Sequence, residues 1–447
     1  MSTTNHKTWP KLTNQDEFRF LMELVLNRST GDHTLVSLHD QQSGTTRFAN
    51  NQIVQNVDMR RGSLSVTVGF GQRHGTASTT DFSAGKVQEA VARATHIAER
   101  SPDDPEYLPP VEPQHYVTTP TSRPETALAG PSRRLEYTSE AIGQCRMENL
   151  GAAGIVSSSM ATVGVAASTG LFAHEARTDA RFSLTVQTGD ATGWSAAAHR
   201  SIDHLKVQER TLTAIDKAKR GLEVRELPPG RYTVILEPAA VAGLWYSLLW
   251  ALDAKSYEKD TSALSGKLGR RIVDTRLTFR NVPAHEDLLG IGFTPDGLPT
   301  VASDWITDGV LTQLSYDRFT AKARGIDKIP TLDAPCLSAS GSPLPMLQDM
   351  IKHTERAILV TNFWYIRTVN PTDLTLTGMT RDGTFLIENG AIVSAVKNFR
   401  FHESPLRVFN RIEASTNPTE AITSETGKLL VPAMTLSDFN FSSVTRF

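Results

Sequence analysis

The stretch "TRDGTFLIENGAIVSAVKNFRF", Thr380 to Phe401, decides how the second half of this chain is read. Its apolar residues come in short runs broken by Asp382-Gly383 and Asn389-Gly390, dipeptides that accept the positive φ angles of tight hairpin turns. Short strands of the same kind surround it in "RLTFRNVP", "TDGVLTQLSYDRF", "ILVTNFWYIRTVN" and "LLVPAMTLSDFNF", with more Asp-Gly pairs at 296/297 and 308/309. From Arg271 onward the pattern therefore predicts a mostly antiparallel β domain. The domain is entered through "LPPGRYTVILEPAAVAGL", a strand, a turn and an apolar helix laid against or inside the sheets, and it spans residues 227–447.

Upstream, Ser101 to Arg134 holds eight of the chain's 23 prolines. Proline fixes φ and removes an N–H donor, so this text is an extended joint, with the connector placed at 111–134. Before it, a helix in "QDEFRFLMELVLN", strands on either side of a Ser43-Gly44 turn, a third strand in "GSLSVTVGFGQ" and a helix in "AGKVQEAVARATHIAER" predict a first α+β unit over 1–110. After it, "RRLEYTSEAIGQCRME", two strands and an amphipathic helix stopped at Gly221 predict a second unit over 135–226. The fold class is α+β: two small α+β N-terminal units followed by a barrel-like, mostly antiparallel β domain.

The chain has 447 residues, a hydrophobic fraction of 39% and 46 Lys plus Arg against 48 Asp plus Glu. That balance offers no global basic field for a phosphate backbone, so direct DNA binding is disfavoured. No apolar run reaches the roughly 18–20 residues of a membrane span, and residues 1–12 lack the apolar core of a secretory signal. A cytoplasmic protein is expected. Cys145 and Cys336 belong to no metal-binding or redox spacing and read as plain thiols.

Several segments together resemble one family, the TldD/TldE (PmbA) proteins, paired subunits of a cytosolic zinc-dependent peptidase. "TTRFANNQIVQN" resembles its first-domain signature, "TSALSGKLG" its central one, and "TRDGTFLIENGAIVSAVKNFRFHESPL" with "LLVPAMTLSDFNF" its C-terminal one. In the family's TldD subunit the helix before the "TS...SGK.G" segment carries HExxxH, which supplies two zinc ligands and a general base. An ungapped match on "TSALSG" puts Trp245 at the first His, Tyr246 at the Glu and Trp250 at the second His. Indole offers no lone pair to a metal, and a phenol of pKa about 10 is a poor base at neutral pH. The resemblance is thus to the TldE subunit. It implies no metal or other cofactor in this chain, zinc on a TldD-type partner, a heterodimer enclosing a chamber, and unfolded or leader peptides as substrates; alone, the chain could form a homodimer.

Trp245, Tyr246, Trp250, Arg400 and His402 are the candidate substrate contacts, and no catalytic or metal-ligating residue is assigned. The aromatics also suit plain packing, and His402 with Glu403 also suits an exposed strand end. Arg381 and Asp382 read as parts of the Asp-Gly turn, Arg47, Phe48 and Asn50 as fixing a strand and its turn, and Lys259 to Arg271 as a solvated loop or a carboxylate grip. His285 and His402 each precede a Glu but lack a second His one helical turn on. Two other readings remain: a homodimeric peptide-binding scaffold without a TldD partner, and a different enzyme that reuses the chamber near His402 and Glu403.

Overall fold

The computed structural model describes residues 11–117, 120–423 and 427–445, so most of the segment inspected for a leader, residues 1–12, lies outside it. The first half repeats one pattern. Helix α1 (Gln15–Arg28) leads into β1 (His33–Ala49), β2 (Gln52–Phe70), β3 (Arg73–Thr79) and α2 (Ala84–Arg100). After a one-turn α3 (Pro124–Ala127), α4 (Pro131–Met147) leads into β4 (Gly151–Ala167), β5 (Phe172–Thr188), β6 (Ala191–His199) and α5 (Val207–Arg220). Because β1 pairs with β4 from Leu35↔Ala167 to Phe48↔Gly154, the two helix-and-strand units share one antiparallel sheet of order β3-β2-β1-β4-β5-β6.

One face of this sheet is sealed by helices. Phe18, Val25, Val87 and Val91 of α1 and α2 pack on Val36, Leu64 and Val66, while Ile142, Cys145, Ala214 and Ala218 of α4 and α5 pack on Val156, Phe182 and Leu184. The halves match closely. A Cβ on Gly75 of β3 would lie 2.4 Å from the Ala94 oxygen and the Ala98 nitrogen of α2; one on Gly193 of β6 would lie 2.2 and 2.5 Å from the same atoms of Ala214 and Ala218 in α5. Glycine is what lets each helix backbone rest on the sheet.

The expected Ser43-Gly44 turn is corrected. Strand β1 runs straight through both residues, and the chain reverses at Asn50-Asn51, where both residues take positive φ (50° and 59°). Asparagine tolerates that conformation, so a two-residue turn forms there. Gly44 serves another purpose, for a Cβ on it would overlap the buried Arg134 guanidinium, which is held by Asp58 at 2.6 Å.

The second half contributes β7 (Val224–Arg225), β8 (Gly230–Leu236), helix α6 (Pro238–Ala251), β9 (Leu277–Asn281), β10 (Ser303–Thr307), β11 (Val310–Leu311) and β12 (Pro335–Ala339). Next come β13 (Arg356–Asn370), β14 (Thr375–Glu388), β15 (Ala391–Val396), β16 (Phe399–Glu403), β17 (Ile412–Ser415), β18 (Thr419–Thr423), β19 (Gly427–Val431) and β20 (Met434–Val444). Strands β13, β8, β20, β16 and β14 pair in that order, and β14 pairs back onto β13, so the sheet closes into a barrel. Phe363, Phe399, Phe401, Phe439 and Phe441 fill it, with neighbouring ring centroids 4.5–5.8 Å apart. A second sheet, β11-β10-β9-β12-β19-β18, lies on the far side of α6, which is buried between the two.

Two of the predicted hairpins form as read. Asn389-Gly390 joins β14 to β15, and Asp308-Gly309 joins β10 to β11, each with positive φ at both positions. Asp382-Gly383 is different, and its reading as a turn is corrected: β14 continues through it, with Asp382 and Gly383 together facing Thr361 of β13. This is a β-bulge, possible because β13 is long enough to pair on both sides of the irregularity.

Among the described residues, no helix is long and apolar enough to cross a membrane. Both cysteines are free thiols; burial pushes Cys145 up to about 11 and also raises Cys336.

Candidate functional site

The helix-free face of the N-terminal sheet looks onto the C-terminal domain, and between them opens a cleft of about 510 Å³. Ser157, Arg181, Ser183 and Trp194 come from the sheet; Tyr246, Trp364, Tyr365, Arg367, Arg381 and Asp382 come from α6 and the β13–β14 ribbon. The indole N–H of Trp194 donates to the Ser183 hydroxyl at 3.1 Å, which fixes that wall.

Helical periodicity explains what becomes of the three aromatics on α6. At about 100° per residue, Tyr246 lies about 100° and Trp250 about 140° round the helix from Trp245. Trp245 consequently points inward, enclosed edge-on by Phe279 and Phe409 at 5.4 and 5.1 Å. Tyr246 lines the cleft, and Trp250, 71% exposed, meets it edge to face at 5.8 Å. The "TSALSGKLG" segment wraps the helix end, where the Ser262 hydroxyl donates to the Ala251 carbonyl at 2.6 Å and the Lys267 ammonium to the Ala263 carbonyl.

This donor set does not fit a zinc ion. The buried Trp245 Nε1–H has no acceptor among the described residues and no lone pair to offer, and Tyr246 is the only oxygen donor of the three. Among the described residues no group of three or more His, Cys, Asp or Glu side chains could hold a metal.

Arg400 and His402 lie elsewhere. They project from β16, opposite Met379 and Thr377, and both are exposed. Arg400 has the Met379 sulfur at 3.9 Å, while His402 borders a separate hollow with Glu403 and Arg407. Glu403 is buried and fully engaged, accepting from the Ser404 and Asn440 N–H groups and from Arg407. Of the five candidate contacts, the structure places Tyr246 in the cleft with Trp250 beside it, Trp245 in the core, and Arg400 and His402 on a different surface.

The segment that sequence reading passed over is "NFWYIR", Asn362 to Arg367, taken only as strand. Its ladder with β14 skips from Trp364 to Arg367, and Tyr365 takes a positive φ of 56°. A bulky residue in that conformation is strained, and such strain gathers at functional positions. The irregularity sets Trp364 and Tyr365 side by side at 5.7 Å. Arg381 stacks over Trp364 at 4.5 Å, and Arg367 over Tyr365 at 4.2 Å. Three consecutive aromatics and an arginine inside one strand, without regular alternation, were the available signal.

Burial raises the Asp382 carboxyl above the usual range against the pull of Arg381. A carboxyl whose folded pKa is raised stabilises the fold below its unfolded value near 3.8, and that contribution is lost as pH rises through the folded pKa. Asp382→Asn should therefore raise the melting temperature at pH 7 relative to wild type, with the gain shrinking toward pH 4. A variant less stable at pH 7 would contradict this account.

A larger hollow of about 760 Å³ lies at the junction of β6, α5, β18 and β19. His199 Nδ1 accepts the Ser201 N–H at 2.9 Å, which leaves the neutral ring's proton on Nε2, the nitrogen that faces His204 and Asp287. That tautomer is unsuited to ligation from Nε2.

Three sequence profiles of one family match the chain: PmbA/TldA metallopeptidase domain 1 over residues 36–98, central domain over 126–222 and C-terminal domain over 229–443. The chain is 26% identical over 324 residues to the metalloprotease PmbA of Escherichia coli O157:H7, covering 68% of this chain and 70% of that protein. Its fold is similar to TldE of Thermococcus kodakarensis (TM-score 0.85, 20% identity, 95% and 98% coverage) and to a candidate modulator of DNA gyrase from Bacteroides thetaiotaomicron (0.82, 18%, 96% and 100%). With all three domains matched in order, and with the motifs that bear the resemblance in place, this chain belongs to the PmbA/TldD metallopeptidase family.

Proposed function

We propose that this chain is the non-catalytic, TldE-like subunit of a two-subunit zinc metallopeptidase acting on unfolded or leader peptides. The observation that carries the reading is the state of α6. Where a catalytic subunit would present HExxxH, this helix presents an enclosed tryptophan, a cleft-lining tyrosine and an exposed tryptophan.

The zinc of the partner subunit would polarise the scissile carbonyl and supply an activated water. This chain's own residues bind and orient. The hydroxyls of Ser157, Ser183 and Tyr246 offer hydrogen bonds to a peptide backbone without demanding a sequence, and Trp364 and Tyr365 give an apolar shelf. A cytoplasmic setting goes with this reading.

The test is zinc content and casein or leader-peptide cleavage for the purified chain, for a TldD-type subunit, and for the mixture. Zinc that follows the partner, with cleavage gained on mixing, is the expected result. Chelator-sensitive cleavage by this chain alone would overturn the reading. A stable self-dimer that adds nothing to the partner's activity would replace it with a scaffold role.

A further inference from the structure

Charge in the cleft runs against that of the whole chain. The sequence carries a net charge of −2, yet the cleft is lined by Arg181, Arg367 and Arg381, with Asp382 the only acidic side chain among the described residues of its wall. Arg181 is already matched by Asp179 at 2.8 Å, and Arg367 donates to the Ile366 carbonyl at 2.8 Å. Among the described residues, Arg381 is the cation still available. Its nearest charge is Asp382, 3.5 Å from Nε, its Nη groups have no hydrogen-bond partner among the described residues, and its side chain is 47% exposed.

Stacking on Trp364 holds the plane of that guanidinium in place, so its N–H fork is oriented before any ligand arrives. A planar fork of this kind matches a carboxylate. Beside it, the Trp364–Tyr365 shelf and the Tyr246 ring offer an apolar, aromatic surface at the range of a single side chain. The volume falls within that of small-ligand sites, roughly 300–1,000 Å³.

We propose that the cleft receives the C-terminal end of a peptide, with Arg381 pairing to the free carboxylate and the Trp364–Tyr365 shelf taking an aromatic or aliphatic last side chain. This rests on the reading that the cleft is a peptide site and adds the end of the peptide that it recognises. A single-stranded nucleic acid would also use aromatic and arginine groups, but two of the cleft's three arginines are already engaged, Arg181 by Asp179 and Arg367 by the Ile366 carbonyl.

The experiment is a titration of the full chain, by tryptophan fluorescence and calorimetry, with N-acetyl-Ala-Ala-Phe as the free acid and as the amide. The acid is expected to bind about tenfold more tightly, the low end for a charge-assisted pair because Arg381 is half exposed. Arg381→Gln should bring the acid to the affinity of the amide and leave the amide unchanged, while Trp364→Ala should weaken both. A circular dichroism melt shows that each variant is folded.

Equal binding of acid and amide, or an Arg381→Gln variant that retains the preference, would overturn the carboxylate anchor and leave the peptide site standing. Failure of either peptide to bind at millimolar concentration would remove the peptide site and the anchor together. Displacement of the acid by a short oligothymidylate at lower concentration than by the amide would reassign the cleft to nucleic acid.

Discussion

Trp245→Ala is expected to lower the unfolding free energy by about 3–5 kcal/mol, seen as a fall in the urea midpoint, while Trp250→Ala changes it by less than about 0.5 kcal/mol. The two residues are five apart on one helix, and sequence alone ranks them equally. Trp245 is wholly buried between Phe279 of the second sheet and Phe409, so deletion leaves a ring-sized void where the layers meet. Trp250 is mostly in water, touching Tyr246. Trp245→Phe should be far milder, because it keeps a ring in the slot and removes a buried N–H that has no acceptor among the described residues. Should Trp245→Ala cost no more than Trp250→Ala, the helix would have to be turned differently from the way described. The functional consequence is positional, since the anchor at Trp245 fixes the rotation of α6 and so directs Tyr246 toward the cleft.

Lys428→Ala should cost about 3 kcal/mol and loosen the cleft. Strand β6 is the edge of the N-terminal sheet, and at Ala198 its backbone looks away from β5. The C-terminal domain supplies the missing partners: Glu420 of β18 accepts the Ala198 N–H at 2.9 Å, and Lys428 of β19 donates to the Ala198 carbonyl. Lys428 is paired with Glu420 at 3.3 Å, its side chain is 3% exposed, and burial lowers its pKa. Arg210 of α5 meets the same Glu420 at 2.5 Å.

Removing the lysine orphans a carbonyl and leaves Glu420 with one cation in place of two. Trp194 and Ala196, which line the cleft, sit on the same strand. Hydrogen exchange at β6 should rise in Lys428→Ala as well as the urea midpoint falling. Adding Glu420→Gln to Lys428→Met should deepen the loss, because it takes the carboxylate from Arg210 as well. A fall in stability with no change in exchange at β6 would mean that the network does not hold the two domains together.

Much of the fold was legible because it follows from local chemistry. The helices of the first half came from apolar spacing, and α1 also carries a capping box in Asn14 and Glu17. Asn389-Gly390 and Asp308-Gly309 made turns because nothing long-range opposed them. Ser43-Gly44 and Asp382-Gly383 carry the same local signal and did not. Each lies in a strand whose neighbour, β4 or β13, is remote in sequence or longer than the motif, and ladder pairing outweighed the turn preference. The resemblance located the helix that matters, but not which of its aromatics face the cleft.

The site was less legible still. Tyr246 was named from its position against a motif, whereas Trp364, Tyr365 and Arg367 were read only as strand, and Arg381 as part of a turn. What the sequence by itself determined is the order of elements, the α+β class, the family and the absence of HExxxH from α6, since these depend on residue type and spacing within short windows. What only the tertiary structure decided is the union of two units in one sheet, the closing of the barrel through β13 and β14, and the gathering of aromatics and arginines from β5, α6, β13 and β14 around one cleft. Those depend on pairings between segments about two hundred residues apart, and register and bulges across such distances are set by the competition of whole strands for partners.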